Sequence, residues 1–282
     1  MPASNPGFDW FTRLEIRRVL VGLGKAEIDS VVLIGGQSIA FWALYYKIEL
    51  PSTDTPALTQ DIDFKGTSKQ AKSLAASIKA SIKTPTLDDA TASTGFLVWE
   101  PAQAANAAPR RLMIDFLGSV LGVRDKDVVD LAVNVQIEDF PPIRVMHPLV
   151  CMESRFANLV MLSGKRDSNG IAQARIGVEI AKNFISTDAA AKGHAVVARA
   201  ITRVVEACTS PSGIYVFNEF GIDGMDAVGL SLLPPDHPFV EKSYPKLLGK
   251  LMRKREIDSA RREGRVHEPK ATRNLVHGRP LD

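Results

Sequence analysis

The run Val31-Val32-Leu33-Ile34, closed by Gly35-Gly36 and followed by an unbroken apolar stretch to Lys47, constrains this chain most. Four consecutive aliphatic residues stopping at two glycines read as a short buried strand. From Ser38 to Lys47 the apolar and aromatic residues predict a helix. The turn between them also has a chemical use. Its backbone N–H groups are unhindered by side chains and aligned with the positive end of the helix. Gly35, Gly36, Gln37 and Ser38 are therefore candidate phosphate-binding residues, with Ser38 adding a hydroxyl donor. The alternative is a tight strand-to-helix turn that needs glycine only for its backbone angles.

Further strands are predicted over Asp61–Phe64, Gly95–Glu100, Leu112–Leu117, Val129–Ile137 and Ile143–Met146. Helical spacing marks Phe8–Lys25 and Ser68–Lys83, while Glu49–Thr59, with Pro51 and Pro56, reads as a loop. After His147-Pro148 the pattern turns helical throughout: Leu149–Leu162, Ile171–Ile185 and Ala189–Cys208, the last with Asp188 as its expected N-cap. The fold class implied is α+β, a mixed sheet flanked by helices and followed by a helical C-terminal domain. The expected divisions are 1–147, 148–245 and a basic tail over 246–282.

Two acidic features stand out against this frame. Asp61 and Asp63 lie two apart on a predicted strand, so both carboxylates project from one face. Like charges that close repel unless a cation lies between them, and all-oxygen ligands suit a hard divalent ion such as Mg²⁺, with Mn²⁺ as the alternative. The pattern alone is cheap: Asp125-Lys126-Asp127 repeats it in a polar stretch with no assigned role. Asp115 interrupts the apolar run Leu112-Met113-Ile114-Asp115-Phe116-Leu117, where a lone carboxylate is costly to bury unless paired or metal-bound. It either pairs with Arg110, Arg111 or a distant base, or joins Asp61 and Asp63 on one sheet edge. Three converging carboxylates would suit two-metal phosphoryl transfer.

Order and context together resemble a family. Gly35-Gly36-Gln37-Ser38, then Asp61-Ile62-Asp63, then Asp115 is similar to the signature of the DNA polymerase β-like nucleotidyltransferases, in the flavour of the AbiEii-type toxins and related bacterial nucleotidyltransferases. The resemblance covers about Val31 to Leu117 and extends only weakly into the helical part. It implies transfer of a nucleoside monophosphate from an NTP to a hydroxyl acceptor. By the same resemblance the glycine turn holds phosphates, Asp61 and Asp63 bind two metal ions, and Asp115 binds the ion that activates the acceptor. Glu153-Ser154-Arg155 and Lys165-Arg166-Asp167 match the branch's helical motif loosely. Lys165 is accordingly either a triphosphate ligand or a solvated surface lysine. The branch also implies an RNA acceptor and a partner antitoxin protein; a small hydroxylated molecule, a protein side chain or a non-catalytic nucleotide-binding role are the alternatives.

Charge bears on the acceptor. Lys246–Asp282 holds eleven Lys and Arg against five Asp and Glu, a balance of +6 within a whole-chain net charge of +3. The other 245 residues thus carry −3, and the terminal stretch is where phosphate would be met. Cys151 and Cys208 lie far apart without metal-ligand spacing and are expected as buried, reduced thiols. No secretory signal or membrane-spanning run is legible, so the expectation is a cytoplasmic chain with no membrane contact.

Overall fold

The computed structural model describes residues 9, 11–49, 60–86, 88–89, 91–102, 109–137 and 140–264. The chain runs α1 (Arg13–Gly22), α2 (Gly24–Ile28), β1 (Val32–Ile34), α3 (Gly35–Tyr45), β2 (Asp61–Lys65), α4 (Ser68–Ile78), β3 (Ser81–Lys83) and β4 (Ser93–Trp99). It continues through β5 (Leu112–Leu117), α5 (Asp125–Asp130), β6 (Val133–Val135) and β7 (Ile143–Val145). Helices follow: α6 (Pro148–Met161), α7 (Ser168–Phe184), α8 (His194–Thr209), α9 (Pro211–Phe220) and α10 (Tyr244–Arg262).

Among the described residues the strands form one seven-stranded sheet in the order β3-β4-β5-β2-β1-β7-β6. It is mixed: β2 pairs parallel with β5 and β1 with β7, while the other neighbours are antiparallel. The fold is a mixed sheet flanked by helices with a helical C-terminal region, as the patterning predicts. One sheet face carries Ile62 and Phe64 of β2, Ile114 and Phe116 of β5, and Leu97 and Trp99 of β4, all buried. Gly95 shares that face, and a Cβ there would lie 2.5 Å from Ala71 of α4, so α4 covers it closely. The opposite face of the same strands carries Asp61, Asp63, Asp115 and Phe96.

Several element boundaries differ from the periodicity. The helix predicted to run to Lys83 stops at Ile78, because Lys79 takes a left-handed conformation (φ 58°) and Ser81–Lys83 pairs with β4 as an edge strand. The strand predicted over 129–137 is helix α5 at its start and the three-residue β6 at its end. Asp188 does not cap α8. It lies in a π-helical turn, Ile185–Ala189, that extends α7, and α8 begins after Gly193, whose φ of 98° breaks the run. There Asp188 accepts a hydrogen bond from the Tyr46 hydroxyl. The predicted loop over 49–59 lies outside the described residues except for Glu49, as do Phe8 at the start of the first predicted helix and residues 265–282 of the basic tail.

Two apolar cores form. The first gathers the sheet, α1, α3 and α4; the second gathers α8, α9 and the segments beyond. Helices α6 and α7 feed both: Val150, Cys151, Ile176 and Ile180 enter the first, Leu149, Met152, Phe156 and Val178 the second. The tail stretch up to Arg262 is helix α10, whose Leu251 is fully buried in the second core.

Candidate active site

The acidic residues are brought together by register. Asp63 of β2 stands opposite Asp115 of the parallel neighbour β5, and Asp61 opposite Met113. Register partners on adjacent strands share a face about 4.8 Å apart, so all three carboxylates lie on one patch of sheet. On its other side Asp63 pairs with Ile34, the last residue of β1. That places the glycine turn against the carboxylates. Gly35 has φ 68°, and a Cβ there would lie 1.9 Å from Asp63 Oδ2. Only glycine satisfies both the backbone angle and the contact.

The electrostatics follow from this crowding. Burial, followed by the charges of Asp61 and Asp115, pushes the Asp63 carboxyl well above the usual range, while Arg155 and Lys165 oppose the rise. Burial also raises Asp115, against the hydrogen bond that Ser93 Oγ donates to its Oδ1 at 2.7 Å. Arg110 pairs instead with Glu15 at 2.8 Å and Arg111 lies 3.6 Å from Glu100. As the side chains stand, no three His, Cys, Asp or Glu among the described residues are arranged to hold a metal ion. The donor set nonetheless suits one: three carboxylates share a face, and the mutual repulsion that helps raise Asp63 and Asp115 is what a bound cation would relieve.

The glycine turn is tighter than the sequence implies. Gly35, Gly36, Gln37 and Ser38 are all buried. The Ser38 hydroxyl, fully buried, donates to Gly35 O at 2.8 Å and lies 3.5 Å from Cys151 Sγ. Helices α1, α4, α6, α7 and α9 are capped by Thr12, Thr67, His147, Asp167 and Ser210, whereas α3, like α5, α8 and α10, has no side-chain cap. Its first-turn N–H groups therefore keep their capacity for an anion. Among the described residues, Gln37 Nε2 and Arg155 Nε are buried donors with no acceptor.

Arg155, which the sequence showed only as part of the loosely matching Glu153-Ser154-Arg155 and without a role, bears on the carboxylates through its charge. It sits on α6 at 7% exposure, donates to Gln173 Oε1 at 2.9 Å, and its charge acts on both Asp61 and Asp63. A single arginine on the buried side of an apolar helix was the available signal, since such a cation is rarely buried without a partner charge. Lys165 is exposed in the short 3-10 turn Ser163–Lys165, and its charge also reaches Asp63. Of its motif neighbours, Asp167 caps α7 and Arg166 bonds the carbonyls of Leu159 and Val160. Ser93 and Phe96, which β4 places beside Asp115, carried no pattern of their own.

No protein-family model and no curated protein matches this chain. Among solved structures, the Helicobacter pylori protein JHP933 aligns over 88% of this chain and 92% of its own, at 12% identity and TM-score 0.36. A second H. pylori structure, described as a candidate nucleotidyltransferase, aligns over 90% of this chain and 95% of its own, at 13% identity and TM-score 0.34. Likeness at that level carries no residue-by-residue correspondence. A cavity of about 880 Å³ lies elsewhere, lined by Arg124, His147, Phe156, Arg203 and neighbours at the α5–α6–α8 junction. It holds none of the three carboxylates.

Proposed function

We propose that this chain is a metal-dependent nucleotidyltransferase. The observation that carries the reading is the register pair Asp63–Asp115 with Gly35 packed on the Asp63 carboxylate. It joins an acidic centre to the uncapped end of α3, which is the pairing of parts that transfer from a nucleoside triphosphate requires. Asp61, Asp63 and Asp115 would hold Mg²⁺ or Mn²⁺. Such ions, when bound, lower the pKa of an attacking hydroxyl and neutralise the leaving pyrophosphate.

The chain's own residues account for the remaining steps. The first-turn N–H groups of α3 and the Gln37 amide bind phosphate oxygens, and Arg155 and Lys165 add positive charge from the helical side. Asp115, oriented by Ser93, faces the acceptor. The acceptor oxygen forms a bond to the α-phosphorus, the α–β phosphoanhydride bond breaks, and pyrophosphate leaves with its electrons. The hydroxyl proton passes to a carboxylate or to solvent.

The acceptor is proposed as RNA, and a toxin role with a cognate antitoxin is the finer form of the same reading. The test is incubation with Mg²⁺, each labelled NTP and total RNA, beside an Asp61→Asn/Asp63→Asn variant. Label should enter RNA only with the intact residues, with at least a 100-fold loss in the variant, as expected when groups that orient the reaction are lost. Label in a small molecule or in protein would redirect the acceptor. One rival is a nucleotide-binding chain without catalysis, favoured by carboxylates that do not already stand as a three-residue metal-ligand group among the described residues. Measurable NTP binding with no labelled product in any fraction would establish that rival instead.

A further inference from the structure

Helix α10 divides its charges between two faces. Residues Leu251, Arg255, Asp258 and Arg262 follow helical spacing on the packed side. There Leu251 is buried, Arg255 pairs with Asp223 at 2.6 Å and lies 3.7 Å over the Phe217 ring, and Arg262 holds both Asp258 and Glu219. Lys246, Lys250, Arg253 and Arg261 follow the same spacing on the opposite side and are exposed. Among the described residues none of these four meets a carboxylate. The row spans about 22 Å at 1.5 Å per residue, interrupted by Ile257 at 40% exposure and bordered by Met252 at 55%.

We propose that this outward face of α10 docks the phosphate backbone of RNA. Calling that RNA the acceptor rests on the transferase reading above; the charge pattern does not. A line of cations that meet no carboxylate, with only two separated apolar residues, suits a polyanionic strand. A protein partner needs an apolar patch at the centre of its contact. A membrane needs the helix's apolar side, but Leu247 and Leu251 already pack in the second core.

The test measures binding of a labelled, unstructured single-stranded RNA to the full chain without NTP, over about 50 to 200 mM salt. Lys246→Gln/Lys250→Gln/Arg253→Gln should weaken binding about 10-fold and flatten the log–log salt slope by about 2. An equal change of charge on α1 and α4, Arg17→Gln/Lys69→Gln/Lys72→Gln, should leave both unchanged. The charge-conserving Lys246→Arg/Lys250→Arg/Arg253→Lys should bind as the unaltered chain does. Equal losses in both glutamine triples, an unchanged slope, or loss in the charge-conserving variant would overturn the proposal. Transfer to RNA that persists undiminished in the α10 triple would overturn the surface and leave the transferase standing. Binding that depends on α10, with no transfer to any acceptor, would do the reverse.

Discussion

Gly35 answers two demands at once, and they can be separated by substitution. Its φ of 68° is matched by Gly221 at 61°, which caps α9 and has nothing within 4 Å of its missing Cβ. Gly221→Ala should therefore cost only the backbone strain, about 1–2 kcal/mol, and leave transfer intact. Gly35→Ala must also push away the Asp63 carboxylate, and a displacement on the order of 1 Å at the chemistry costs about 100-fold in rate. Equal transfer by the two variants would sever the glycine turn from the acidic centre. His147 offers a second residue-scale test. Burial, then the charges of Arg203 and Lys192, lowers its pKa from 6.5 to about 4, while its Nδ1 caps α6 by accepting from Leu149 N. The unfolded chain takes up a proton below 6.5 that the folded chain refuses until about 4. Stability should thus fall with acidification across that window, by up to about 1.4 kcal/mol per pH unit. Asn caps helices as well and does not titrate, so His147→Asn should flatten this segment in urea titrations. An unchanged slope would assign the acid sensitivity to other groups. Both cysteines are buried, as expected, with thiols pushed up to about 12.

At the scale of elements, legibility followed how far each signal is local. The strand–Gly-Gly–helix unit and the strands bearing Asp61, Asp63 and Asp115 were readable because alternation and apolar runs set the buried face directly. The end of α4 was not, because Ile78 and Ile82 keep helical spacing across a break made by the backbone of Lys79. Asp125-Lys126-Asp127 looked idle, yet it opens α5 and joins a network. Arg203 of α8 bonds Glu153 of α6 at 2.6 Å and Asp127 of α5 at 2.9 Å, while Arg124 also holds Asp127. Only tertiary structure unites residues that far apart in sequence. With side-chain exposures of 13–22% for the three partners, Arg203→Met should cost about 1–3 kcal/mol by leaving Glu153 unmatched and Asp127 held by Arg124 alone. In an Asp127→Asn/Glu153→Gln background most of that cost should vanish. An identical cost in both backgrounds, read from chemical denaturation, would mean that Arg203 contributes packing and no ionic tie.

At the scale of the molecule, the predicted division near residue 147 falls where α6 begins, but α6 and α7 contribute side chains to both cores. Tyr46 to Asp188 and Trp42 Nε1 to Met146 O at 2.8 Å add hydrogen bonds from α3 and its C-cap to the turn after α7 and to the segment leading into the helical region. Periodicity shows that a helix has an apolar face; it does not show that two adjacent faces serve different cores. Shared helices should make the two units unfold together, since neither core can open without exposing apolar surface of α6 and α7. The tryptophans allow a check. Among the described residues Trp42 and Trp99 lie in the first core and the second core contains no tryptophan, and Trp10 can be replaced by Phe. Ile201→Ala removes a fully buried side chain of α8 from the second core, at a cost of about 2–5 kcal/mol. If the cores are coupled, tryptophan fluorescence and far-UV circular dichroism should shift to the same lower denaturant midpoint. A tryptophan transition that stays in place while the helical signal moves would show two independent units, and with them a site whose helical side, Arg155 and Lys165, can part from its carboxylates.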